Sequence, residues 1–179
     1  MRNSFVIRAL AALIALAPIA GAQSAPANNT TIILVRHGEK AAEPAADPPL
    51  TAAGAARAEA LADAVRDAGV NAIVSTQFQR TRQTVAPTAA KLGITAGVID
   101  ARLTARATAD TLLARYRGRT VLLAGHSNTV PAIVAALGVP QPADICDAGY
   151  DNMFVVTIPA SGTPSVTRLH FGVATQCPK

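Results

Sequence analysis

The chain has 179 residues, half of them apolar, a formal net charge of +5 and only 3% aromatic residues. That length suits one domain with a proper core. No basic run or aromatic stacking pattern occurs, which argues against nucleic acid, and the mild positive balance agrees with a small anionic partner.

Residues 1–22 read as a signal peptide: Arg2 and Arg8 are basic, Val6 to Ala17 is apolar, and Ala20-Gly21-Ala22 offers a small-x-small cleavage site before Gln23. The apolar run is too short and too interrupted for a membrane span, so stable membrane insertion is not expected, an uncleaved anchor being the alternative. No cysteine lies near the cleavage site, as a lipoprotein would need. The expectation is an exported protein, periplasmic or secreted. Much of the apolar fraction is alanine, which suits helices better than a hydrophobic surface.

Residues 23–30 are polar and read as a flexible leader, so the domain is expected over 31–179. Thr31 to Val35 is a β-prone, apolar run that ends in Arg36-His37-Gly38-Glu39, the profile of a buried parallel strand delivering side chains to a site. Ala41 to Pro49 holds three prolines and reads as a loop beside that site. Thr51 is a candidate N-cap for a helix whose apolar side includes Ala58, Leu61 and Val65, with Arg57, Glu59 and Asp63 on its outer face and Gly69 at its end.

Asn71 to Ser75 is a second short strand, followed by a helix to about Leu92 that Pro87 should either kink or delay. Thr95 to Ile99 is a third strand, with Asp100 at its end, and Thr108 to Arg117 a helix. Thr120 to Gly125 is a strong strand running directly into His126, with a helix from Thr129 to Leu137 behind it. Asn152–Ile158 and Ser165–Phe171 form a closing hairpin around a Pro- and Gly-containing turn. The expected fold is a single three-layer α/β domain, with helices on both faces of a mostly parallel sheet.

Two strong strands thus deliver His37 and His126 at their carboxyl ends, and a third leads to Arg80-Thr81-Arg82. Neighbouring strands would gather two imidazoles and two guanidiniums, Arg36 and Arg80, in one crevice. Phosphoryl transfer to histidine needs such a set: a neutral imidazole as nucleophile and arginine forks on the phosphate oxygens. Arg82, two residues from Arg80 on a helix, and His170, inside a late strand, read as structural. No carboxylate or histidine cluster has metal-ligand spacing, so no metal and no other cofactor is expected. The two cysteines, Cys146 and Cys177, are expected to form one disulfide in an exported protein, two free thiols being the alternative.

The segment Leu34-Val35-Arg36-His37-Gly38-Glu39 resembles the signature of the histidine phosphatase superfamily, which includes the cofactor-dependent phosphoglycerate mutases. Leu50-Thr51-Ala52-Ala53-Gly54 resembles that family's Leu-Thr-x-x-Gly helix start, Ser75-Thr76 through Thr84 its second-arginine segment, and Gly125-His126-Ser127-Asn128 its second-histidine turn. Together they span about residues 31–138. The resemblance implies a phosphoglycerate mutase-like fold and a phosphatase acting on a small phosphorylated substrate. His37 would carry the phosphoryl group, and Arg36, Arg80 and His126 would complete the pocket.

Departures from the pattern narrow this expectation. The interval from Arg80 to His126 has no room for a mutase's long insertions, so a phosphatase is favoured over a mutase. No glutamate follows Glu59, so the family's usual acid is missing. Asp100 is the substitute candidate for general acid, with a turn or cap role as its alternative, and Asp147 and Asp151 are weaker candidates. The family's asparagine beyond the Arg-His-Gly turn is also absent. Without an acid, alkyl phosphates become poor substrates, and aryl phosphates or phosphoramidates such as protein phosphohistidine better ones. A catalytically silent phosphate-binding module is the alternative of another class. The acid phosphatase and phytase branch is disfavoured, because Glu39-Lys40-Ala41 stands where its Arg-x-Pro would follow the glycine.

Overall fold

The computed structural model describes residues 28–177, so the signal-peptide reading of 1–22 and most of the leader lie outside the described residues. One mixed sheet of six strands runs in the order β3-β2-β4-β1-β5-β6. These strands are β1 (Thr30–Arg36), β2 (Ala72–Thr76), β3 (Gly97–Ile99), β4 (Thr120–Gly125), β5 (Asn152–Ile158) and β6 (Ser165–His170). The first four are mutually parallel; the closing hairpin joins the sheet antiparallel, β5 against β1.

The sheet is the middle of three layers because its central strands are apolar on both faces. In β1, Ile32 and Leu34 point to one core and Ile33 and Val35 to the other, the two-residue period of a strand. All four side chains are buried, each contributing about 1.5–3 kcal/mol of hydrophobic stabilisation. Helices α1 (Ala52–Ala64) and α2 (Gln79–Leu92) supply Leu61 and Val85 to one face. Helices α3 (Ala105–Tyr116) and α4 (Val130–Ala136) supply Leu112 and Val134 to the other.

Local chemistry sets the helix starts. Thr51 caps α1, its hydroxyl accepting from the Gly54 amide at 3.1 Å. No side chain of the preceding residue caps α2. Instead Asp47, from the proline-rich loop, accepts from the Gln79 amide at 2.9 Å and places a carboxylate at the positive end of the helix. The helix runs through Pro87 without a break and stops at Gly93, whose φ of 64° is left-handed.

Two expectations for α1 need correction. The helix ends at Ala64, and Gly69 lies beyond it in a turn with φ 69°. Arg57 does not face solvent: it is 5% exposed, turned inward because a carboxylate waits there. Strand β1 also starts one residue earlier than expected, taking Thr30 from the leader.

Candidate active site

The register of two neighbouring strands assembles the site. Strands β1 and β4 are paired so that Arg36 lies opposite Gly125, and the His37 amide donates to the Gly125 carbonyl at 3.0 Å. His37 and His126 are each the next residue, so both leave the sheet at the same level, their ring centroids 5.4 Å apart. Strand β2, on the other side of β4, ends at Thr76, whose hydroxyl lies 3.3 Å from His126 Nε2 and 2.8 Å from the Thr81 hydroxyl.

His37 is 4% exposed, and its Nδ1 lies 2.8 Å from the carbonyl oxygen of its neighbour Gly38. A carbonyl only accepts, so Nδ1 carries the proton and Nε2 keeps its lone pair. Burial lowers the His37 pKa to about 3; the bond to Gly38 opposes this shift, and the charges of His126, Arg36 and Arg80 reinforce it. Burial, with Arg80 and Arg36 nearby, lowers His126 to about 4. Both imidazoles are therefore neutral at pH 7.

Each arginine lies against an aromatic ring. The Arg36 guanidinium carbon is 4.1 Å from the Tyr150 ring centroid, and that of Arg80 is 4.3 Å from the Phe78 ring centroid. These rings extend the imidazole pair on both sides, Tyr150 at 6.3 Å from His37 and Phe78 at 5.6 Å from His126. Arg36 Nη1 donates to backbone carbonyls of Cys146, Asp147 and Gly149, and Arg80 Nη1 lies 3.9 Å from Asp47. The Nε of each arginine is buried with no hydrogen-bond partner among the described residues. A buried donor without an acceptor is costly, and an anion between the two guanidiniums would satisfy both.

The turn after His37 is clamped by Arg57 and by residues that the sequence marks only as members of motifs, with no role for any of them. A Cβ on Gly38 would lie 2.9 Å from the Gly54 carbonyl oxygen, and one on Gly54 would lie 2.3 Å from that of Glu39, so only glycine lets the turn and α1 touch. The Gly38 amide donates to the Thr84 hydroxyl at 2.9 Å. Glu39 receives Arg57 through Nε and Nη2, with contacts of 2.7–3.0 Å. Burial alone would raise the Glu39 carboxyl, but the hydrogen bonds from Arg57 prevail and hold it below its ordinary range. In the sequence Glu39, Gly54, Thr76 and Thr84 stand out only as members of the quoted motifs; Tyr150, Phe78 and Asp47 carry no signal.

None of the remaining candidates has its side chain hydrogen-bonded to the four central residues. Asp100 shares with His126 and Thr129 the wall of a cavity of about 20 Å³, room for about one water. Its carboxylate accepts from Arg102 through side chain and backbone, and these bonds lower its pKa to about 2. Asp147 offers its backbone carbonyl to Arg36. Asp151 is buried and bound by Thr175 and His170; Arg82 and His170 are exposed. Cys146 and Cys177 are joined by a disulfide.

Residues 32–106 match the family model for the histidine phosphatase superfamily (branch 1). That matched stretch is similar to the superfamily and carries Arg36, His37 and Arg80. No curated protein matches the sequence. Among solved structures the chain is similar to a mycobacterial hydrolase 1, with 15% identity and a TM-score of 0.63 over 82% of this chain and 100% of that one. It is similar to the protein histidine phosphatase SixA complexed with tungstate, with 21% identity and a TM-score of 0.61 over 78% and 96% of the two chains. It also resembles a phosphoserine phosphatase of Entamoeba histolytica in complex with 3-phosphoglyceric acid, with 16% identity and a TM-score of 0.61 over 81% and 98%. At these identities the likeness establishes the α/β fold that these proteins share.

Proposed function

We propose that the protein is a phosphatase that hydrolyses phosphomonoesters through a phosphohistidine on His37. One observation carries this reading: the Gly38 carbonyl leaves His37 Nε2 unprotonated beside two guanidiniums whose buried Nε donors lack an acceptor among the described residues. In the first half-reaction Nε2 attacks phosphorus, the P–O bond to the leaving group breaks, and the oxygen leaves with the bonding pair. Arg36, Arg80 and His126 spread the charge on the equatorial oxygens. In the second, water attacks the phosphohistidine, the P–N bond breaks, and inorganic phosphate departs while His37 is restored. The positive charge comes from side chains, so the reading requires no metal.

A second reading, hydrolysis of a phosphoramidate such as protein phosphohistidine, is favoured by the state of Asp100. Held by Arg102 as a carboxylate, Asp100 has no proton to give at neutral pH. Leaving groups that need none, imidazole or an aryl oxide, are then preferred to alkoxides. The likeness to SixA is in keeping with this choice. Export is proposed from the basic and apolar profile of residues 1–22, and the Cys146–Cys177 bond is of the kind an oxidising compartment sustains. Such a location favours extracellular phosphomonoesters over a cytoplasmic phosphoprotein.

Phosphate release from an aryl phosphate, an alkyl phosphate and phosphoimidazole, with EDTA present, tests the reading beside His37→Ala. Turnover of one or more that vanishes in His37→Ala supports it. No turnover of any of the three by a folded protein that binds phosphate would mark a silent binding module instead.

A further inference from the structure

Arg36 leaves β1 at its carboxyl end, yet its orientation is set by a segment more than a hundred residues away. Nη1 donates to the carbonyl oxygens of Cys146 at 2.8 Å, Asp147 at 2.9 Å and Gly149 at 3.1 Å. With Nη1 committed, the guanidinium offers an anion its Nε and Nη2 edge, whose Nε is buried with no partner among the described residues. Tyr150, the next residue of the same segment, covers the guanidinium face.

This segment belongs to neither a helix nor a strand. It lies in the connection between α4, which ends at Ala136, and β5, which starts at Asn152. Three carbonyls of an irregular connection do not converge on one nitrogen without being held, because their backbone freedom opposes it. Among the described residues the one hydrogen bond within it is from the Gly149 amide to the Cys146 carbonyl at 2.9 Å. The other ties come from the C-terminal segment: the Thr175 hydroxyl accepts from the Tyr150 amide at 3.2 Å, and Cys177 is bonded to Cys146 itself. The residue whose carbonyl makes the shortest contact to Arg36 is therefore the residue that is covalently anchored.

We propose that the Cys146–Cys177 disulfide is a positioning element for the phosphate site, acting through the Cys146–Tyr150 segment to hold Arg36 in its phosphate-binding orientation. The proposal rests on the reading of Arg36 as a phosphate ligand. The disulfide does not touch substrate; it decides whether the Arg36 fork stands ready or must be ordered when phosphate arrives.

The test measures inorganic phosphate affinity by calorimetry on the oxidised protein, beside Cys146→Ser/Cys177→Ser, Arg36→Lys and the triple variant, with circular dichroism to establish that each is folded. We expect phosphate affinity to fall about tenfold in the double serine variant. In the Arg36→Lys background, which has no fork to orient, the same two substitutions cause no further loss. The aryl phosphate KM rises in parallel, with a smaller change in kcat. Affinity within twofold of the parent in the folded double variant overturns the proposal. So does an equal loss in both backgrounds, which would make the disulfide a general support of the fold. If the parent binds phosphate and these results fail, only the disulfide's role falls; if the parent binds no phosphate, both this inference and the proposed function fall.

Discussion

Arg57 and Glu39 form a two-pronged ion pair in which the arginine side chain is 4% exposed and the glutamate side chain 23%, and that pair ties the residue two places beyond His37 to helix α1. Arg57 extends the tie further, donating through Nη1 to the carbonyls of Phe171 and Val173. The turn after His37, the first helix and the C-terminal segment thus meet at one guanidinium.

Arg57→Ala leaves a carboxylate in a shielded position without its partner. The expected cost is about 3 kcal/mol of unfolding free energy, the low end for breaking a buried pair because Glu39 keeps some solvent contact. Urea unfolding at pH 7 reads it, and Lys91→Ala, which removes only exposed ion pairs to Glu59 and Asp63, should cost far less than Arg57→Ala.

Gly54→Ala pushes a methyl group toward the Glu39 carbonyl oxygen, a backbone atom with no rotamer to yield. The turn or the helix must shift, with an expected loss of about 1–3 kcal/mol. The same shift displaces His37, so kcat/KM on an aryl phosphate should drop by at least about tenfold. A folded variant with unchanged kcat/KM would mean that the turn is not held by this contact.

The depressed histidine pKa values predict a stability that declines in mild acid. Below the ordinary histidine pKa of about 6.5 the unfolded chain takes up protons that His37 and His126, at about 3 and 4, refuse. The unfolded state then binds more protons, so stability falls with falling pH, by roughly 1.4 kcal/mol per pH unit for each histidine and somewhat less for the more open His126. Glu39 and Asp151, also lowered, begin to add losses in the same direction only below their ordinary carboxylate range, so pH 6.5 to 5 isolates the histidines. Urea midpoints across that window should show the decline, and His37→Asn should remove about half of its slope.

The Arg102 contacts keep Asp100 ionised, so Asp100→Asn should leave aryl phosphate turnover within about twofold of the parent. Alkyl phosphate turnover should already be low in the parent. A large loss of alkyl turnover in Asp100→Asn, with aryl turnover kept, would identify Asp100 as the acid despite its ion pair.

Most of what the sequence determined is local. The run from Thr31 to Val35 has to be a strand buried on both faces, because neither its even nor its odd positions are polar enough for water. The Thr51 cap, the stop at Gly93 and the closing hairpin follow from hydrogen-bonding and backbone rules acting within a few residues. Motif order alone placed His37, Arg36, Arg80 and His126 at strand ends and a helix start.

What only the tertiary structure decided is who stands beside whom. Insertion of β4 between β1 and β2 is invisible in a linear pattern, because chain order does not fix the lateral order of strands. Yet that insertion, with its register, sets the two imidazoles side by side. Arg57 has the helical spacing of a surface residue, and the charge that turns it inward lies eighteen residues earlier. The cradle for Arg36 is made of backbone carbonyls, and every residue type has one, so no composition or spacing could mark Cys146, Asp147 and Gly149 for that task.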